Sequence, residues 1–315
     1  MYKKNECKIS ARELALLFGA DENDHESICQ IVKRNNANLN YFRPDQEKRD
    51  ELLLESLRVL VNRQLKTSGE SRHGDWESGW LENLTRLQSS PKDLASALLP
   101  GYVRPNAVNR LQGDYACFQD ELFEKSYIEI FRTWLFQKYF SECCYIKEFG
   151  CGSGSHIYAL SQLFPKAQIH GYDWSLNSVK ICEVLSEQVA NITGGTQFDF
   201  FSPLFSENGM ANTGVLTFGA LEQTGARFKS FIDSLCEQKP DVCVHVEGID
   251  ELYNPDLLFD YIALQYNSAR GYLTGLLSYL LELEKVNKAK ILKVHRHHFG
   301  SRFNDTVSYI VWKPL

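Results

Sequence analysis

A chain of 315 residues can hold one large α/β domain with an appendage, or two modest domains. Hydrophobic residues make up 43% and charged residues 23%, enough to bury a core, and the net charge of −6 argues against a general nucleic-acid binder, which carries a basic excess. Nine scattered cysteines with no C-x-x-C read as reduced thiols, as expected of a cytoplasmic protein rather than of a disulfide framework.

In chain order, Met1–Glu6 has no apolar run behind it, so a secretory signal is not expected. Residues 1–140 read as a mainly helical region and 141–315 as a second domain. Ser10, followed three residues later by Glu13 and then by an apolar run, is a capping box opening a helix. Leu52, Leu53, Leu57, Leu60, Val61 and Leu65 recur at helical spacing over Gln46–Leu65. Trp76 and Trp80, four apart, share one face of a further helix, as packing anchors or as a platform for a ligand. The segment Leu99–Arg110 is broken by two prolines and a glycine. It is either a connector, or a lid over a bound cofactor, or, through Arg104 and Arg110, a loop that holds an anionic group. A long aromatic helix is expected over Phe118–Phe140.

From Cys144 the pattern changes to alternating strands and helices, the signature of a mostly parallel sheet covered on both faces. The strands fall at Cys144–Phe149, Gln168–Asp173, Gly195–Phe200, Thr213–Gly219, Asp241–Glu247, Lys290–His297 and Thr306–Trp312. The helices fall at Ser155–Leu163, Leu176–Ala190, Arg227–Cys236, Leu257–Ser268 and Tyr272–Glu284, and the last two, more than a crossover requires, are expected to extend one wall of the pocket. The apolar run Gly271–Leu283 is too short to cross a membrane, and Glu282 and Glu284 interrupt its end. The last two strands are close enough to form an antiparallel pair. The histidines at 295, 297 and 298 have no cysteine or acid at ligand spacing, so no metal is expected.

The most informative stretch is Glu148-Phe149-Gly150-Cys151-Gly152-Ser153-Gly154, where an apolar strand turns into a helix over three glycines. Glycines there let a ligand lie against bare backbone. Asp173, at the end of the next strand, stands where an acid can accept bonds from ribose hydroxyls. A nicotinamide-binding turn would place a glycine at position 155, which is Ser, and no G-K-[ST] follows to make a P-loop.

These residues resemble the first motif of the class I S-adenosylmethionine-dependent methyltransferases. His170-Gly171-Tyr172-Asp173-Trp174-Ser175 is similar to the motif closing that family's second strand. Gln197-Phe198-Asp199-Phe200 resembles its acid-plus-aromatic pair, and Gly219-Ala220-Leu221-Glu222-Gln223 its segment after the fourth strand, with Gln223 where His is more frequent. The resemblance covers residues 145–315. It implies a seven-stranded Rossmann-like sheet, methyl-transfer activity and S-adenosylmethionine as cofactor. Its cofactor residues would be Glu148 toward the methionine end and Gly150, Cys151, Gly152, Gly154 and Gly219 as backbone. Asp173 would hold the ribose, with Trp174, Asp199 and Phe200 around the adenine.

The acceptor is less legible. Candidate bases at the carboxyl edge of the sheet are Glu222, His245 and Glu247. Gln223 would position the acceptor, and Arg104, Arg110, Arg296 and Arg302 could hold a phosphate or carboxylate on it. The alternative for the stretch 293–298 is a solvated face. The DNA adenine methylases' N-P-P-Y-type segment is absent after the fourth strand, and together with the acidic charge this points away from nucleic acid. The expected partner is a small hydroxylated metabolite, sugar or natural-product intermediate, with no membrane, and with self-association as a homodimer left open. A protein or RNA acceptor, or a binding protein without turnover, are the alternatives.

Overall fold

The computed structural model describes residues 6–62, 65–90, 92–205 and 209–315. Met1–Asn5, where a leader peptide was weighed, and positions 63–64 of the second expected helix lie outside the described residues.

Seven strands build the main sheet: β1 (Tyr145–Phe149), β2 (Gln168–Asp173), β3 (Ile192–Gln197), β4 (Thr213–Phe218), β5 (Val242–Glu247), β6 (Ala289–His295) and β7 (Ser308–Pro314). Their order across the sheet is β3-β2-β1-β4-β5-β7-β6. The first five are parallel, while β7 runs antiparallel between β5 and β6. Registers of Phe149 with Tyr172 and of Phe218 with Val246 bring the carboxyl ends of β1, β2, β4 and β5 to one edge. The winding direction reverses between β1 and β4, and a crevice opens outside that reversal. β2 and the helix Ser155–Leu163 fall where the sequence places them, whereas β3 ends three residues earlier than expected.

Alternation along β7 shows how the strands bury both faces. Tyr309 and Val311 point into the core with Phe131, Trp134 and Leu160, while Ile310 and Trp312 point into the opposite core with Phe231 and Leu280. All four are fully buried, each contributing roughly 1.5–3 kcal/mol.

The first 140 residues are mainly helical, with a small antiparallel sheet that the sequence reading missed. Its strands, in order, are Glu6–Lys8, Asn40–Phe42, Asp114–Phe118, Asn109–Leu111 and Phe299–Gly300. The turn between the third and fourth of these holds Gln112 and Gly113 at φ 53° and 77°, the left-handed pair that a two-residue hairpin requires. The aromatic helix therefore starts later, at Phe123, and runs to Phe140. The helix Ala11–Phe18 opens on the expected capping box and lies against the last two strands of the main sheet. Its terminal carbonyls accept bonds from them: Leu17 O from His295 Nε2 at 2.7 Å and Phe18 O from Tyr309 OH at 2.7 Å.

Candidate active site

Gly150, Gly152 and Gly154 have φ of 78°, 52° and 75°, a region that L side chains avoid. A Cβ on Gly150 would lie 2.2 Å from the Cβ of Ala220, in the loop after β4, so the glycine also permits the two loops to touch. The carboxylate of Asp173, at the end of β2, accepts from the backbone N–H of Gly152 at 2.8 Å and of Ser175 at 2.9 Å. One acid thus pins the glycine turn to the start of the next helix. Burial pushes the Asp173 carboxyl up to about 6 against those two bonds.

Glu148, next to last in β1, is fully buried. Its Oε1 pairs with His156 Nδ1 at 2.8 Å, while its Oε2 has no partner among the described residues. Burial raises the carboxyl well above its ordinary range, with Arg132 pulling the other way. On the neighbouring strand end, Gly219 takes φ 63° and a Cβ there would meet no atom within 4 Å.

These elements border one cavity of about 630 Å³. Gly150, Cys151, Gly152, Asp173, Trp174, Phe200 and Gly219 line one wall. The Sγ of Cys151 lies 3.6 Å from that of Cys182. Gly154 packs against Ile181 and Leu185 instead, and the exposed Asp199 caps its own turn through Phe201 N at 2.8 Å. Neither is among the residues lining the cavity, and nor is Glu148, which lies behind the turn paired with His156.

No family model matches the chain, and no curated protein matches it. Solved structures do. An O-methyltransferase from neocarzinostatin biosynthesis is 13% identical, over 98% of this chain and 90% of that one, with a TM-score of 0.41. The CMeT domain of the citrinin polyketide synthase is 8% identical, over 97% and 98%, with a TM-score of 0.46. A SAM-dependent methyltransferase from Aquifex aeolicus is 11% identical, over 55% and 82%, with a TM-score of 0.38. Identities and TM-scores this low carry no argument by themselves. The strand order 3-2-1-4-5-7-6, with its one antiparallel member, stands on its own. The chain has a mostly parallel, seven-stranded Rossmann-like fold, as the resemblance in its sequence implies.

The second wall comes from segments spread along the chain. The helix His73–Ser89 lays Trp80 over Gly152, with Trp76 stacked on it at 5.5 Å between ring centres. Tyr102, Val103 and Arg104 come from the broken segment after it. Tyr266 comes from the helix Leu258–Arg270, Tyr272 from the turn after that helix, and Ser301, Arg302 and Asn304 from the loop before β7. Arg132 and His156 complete it beside the glycine turn.

The three candidate bases separate clearly. Glu222 lines the cavity, and burial raises its carboxyl to about 7 despite a hydrogen bond from Gln223. His245 does not line it. This histidine is buried between β4 and β5, bonded through Nδ1 to Thr217 Oγ1 at 3.0 Å, and burial lowers it to about 3. Glu247 is also fully buried, accepting the backbone N–H groups of Ala220, Leu221 and Glu222 at 3.1–3.2 Å. It holds the loop after β4, with its carboxyl raised to about 8 by burial and by Glu222. Position at the strand end brought both residues to attention, but their side chains face into the protein.

The arginines divide the same way. Arg104 and Arg302 reach the cavity, the latter paired with Glu55. Arg110 and Arg296 instead enter a buried cluster with Asp260 and Asp305. Arg296 Nη1 donates to Asp260 at 2.6 Å and Nη2 to Asp305 at 2.9 Å, and Arg110 Nε lies 3.4 Å from Asp305. The histidines nearby are structural as well: His295 and His297 face the helices through Leu17 O and, at 2.7 Å, Tyr127 OH. His297 is fully buried, so the solvated face weighed for this stretch is not formed.

Arg132 and His156 are cavity residues to which the sequence reading attached no function. His156 carried a usable signal, two residues beyond the last glycine of the turn. Trp76 was weighed as a ligand platform, Tyr102 lies in the segment weighed as a lid, and Tyr266 and Tyr272 lie in the stretch expected to extend the pocket wall.

Proposed function

We propose that the protein binds S-adenosylmethionine against the glycine-turn wall and transfers its methyl group to a small hydroxylated molecule held by the opposite wall. The observation that carries this reading is a single cavity lined by the glycine turn, Asp173 and Glu222 together. The residues suit that cofactor. Asp173 has buried oxygens with remaining lone pairs for ribose hydroxyls, and Gly219 leaves open space where a side chain would stand.

When bound, the cofactor supplies a methyl group made electrophilic by a sulfonium. The chain's own work is to align an acceptor oxygen and to take its proton. Glu222 is the group placed for the proton. A carboxyl raised to about 7 is largely ionised just above neutrality and binds a proton well enough to receive one. The aromatic rings of Trp76, Tyr102, Tyr266 and Tyr272 exclude water from this half of the cavity, and Arg104 at its rim suits an acidic substituent on the acceptor. The region 1–140 is read as a cap domain, since Trp76, Trp80 and Tyr102 come from it.

Calorimetric titration with S-adenosylmethionine tests the cofactor half: heat with the wild type and its loss in Asp173→Ala are expected, and no heat with the wild type would reject the reading. Incubating the protein with methyl-labelled donor and a metabolite extract tests the acceptor half, with label expected in a small product rather than in protein or RNA.

A further inference from the structure

Glu222 is not held by the main sheet alone. The Nε2 of Gln223 donates to Glu222 Oε1 at 3.0 Å, and the Oε1 of Gln223 accepts from the indole Nε1 of Trp76 at 3.3 Å. Gln223 is only 8% exposed. A primary amide has a donating and an accepting end of nearly equal shape, and either could face the carboxylate. An indole nitrogen only donates. Bonded to Trp76, the amide must turn its oxygen to the indole, which leaves its NH₂ for Glu222. Trp76 is itself fixed by stacking on Trp80 and by the guanidinium of Arg72, 4.7 Å above its ring.

We infer that Trp76 is a positioning residue, acting through Gln223 to hold the Glu222 carboxylate in one orientation and in its ionised form. The role of Glu222 as proton acceptor rests on the function proposed above; the hydrogen-bonded chain does not. Arg72 and Arg270 face Glu222 as cations and favour its charge. Glu247 faces it from β5, and Tyr102, Tyr266 and Tyr272 from the cavity wall. Burial is the largest influence on the carboxyl and raises it, while the Gln223 bond is the first of the influences that lower it. Removing that bond disfavours the charged form, so protonation moves to higher pH.

The experiment titrates the full chain, labelled with ¹³C at the glutamate side-chain carboxyl, by NMR and without cofactor. The Glu222 resonance is the one absent from E222Q. In Q223L its midpoint is expected to rise by about one unit, cutting the ionised fraction up to about tenfold below the wild-type midpoint. In W76F, which keeps a ring for Arg72 and Trp80, a smaller rise is expected, with a shift of the Gln223 side-chain amide signals. Midpoints unchanged or lowered in both variants would overturn the inference, and unmoved amide signals in W76F would remove Trp76 from it. Should Q223L fail to fold, Q223M and W76F decide the matter. Because no cofactor enters this titration, a protein that gives no heat with S-adenosylmethionine but titrates as expected would lose the proposed function and keep the positioning.

Discussion

The two walls of the cavity are made in different ways. On the glycine-turn side the geometry is set by backbone: three glycines with positive φ, and one acid bridging the N–H groups of Gly152 and Ser175. On the opposite side it is set by side chains from segments spread along the chain, the outermost more than 200 residues apart in sequence. A wall of backbone admits few substitutions and binds one shape. A wall of side chains from dispersed segments can change without disturbing the first, provided its anchors hold. Here the anchor is the buried cluster of Arg110, Arg296, Asp260 and Asp305.

That contrast can be broken most strongly at the anchor. Asp260→Ala leaves two buried guanidiniums short of a partner, and a loss of about 3–5 kcal/mol in unfolding free energy is expected by chemical denaturation. Burial raises the Asp260 carboxyl, yet the bonds from Arg296 hold it below its ordinary range, so its contribution is present at neutral pH and is lost on acidification. Next in size, Asp173→Ala removes two charge-assisted acceptors from the cofactor wall. A weakening of S-adenosylmethionine binding by about a hundredfold is expected in calorimetry, with much less effect on folding than at the anchor.

A third test uses pH. Glu247 and Glu222 have folded pKa values of about 8 and 7, above the ordinary carboxyl range. Groups raised on folding stabilise the protein at low pH, and that contribution disappears as pH climbs through the folded values. Thermal midpoints of the cofactor-free protein are therefore expected to fall between about pH 5 and 8, more shallowly in Glu247→Gln. The smallest effect is expected at the rim. Arg104→Ala should leave stability and cofactor affinity within about 0.5 kcal/mol of the wild type, while raising KM for an acidic acceptor identified in the label screen. A change in cofactor affinity as large as that of Asp173→Ala would erase the distinction between the walls.

The same contrast explains what could be read in the chain. β2 and the helix Ser155–Leu163 were legible to the residue because they are long, periodic and bounded by glycine or by a capping acid. The glycine turn announced its wall because backbone geometry leaves a local residue signature. Strands of two or three residues, such as Asn109–Leu111 and Phe299–Gly300, carry too little alternation to be seen. His245, Glu247, Arg110 and Arg296 have the chemistry of site residues. Whether such groups face a cavity or a buried partner depends on tertiary packing, and no spacing in the chain encodes it.

The helix Ala11–Phe18 ends with its carbonyls held by His295 and Tyr309. A chain made from its amino end therefore completes this helix nearly three hundred residues before its docking site exists. Phe18, buried among Tyr127, Phe131 and Trp134 in the finished protein, has no sheet to cover it during synthesis. β7 is also an interior strand, flanked by β5 and β6, so the sheet too is complete only once β7 has been made. Removing β7 would expose both the helix Ala11–Phe18 and the aromatic core it covers.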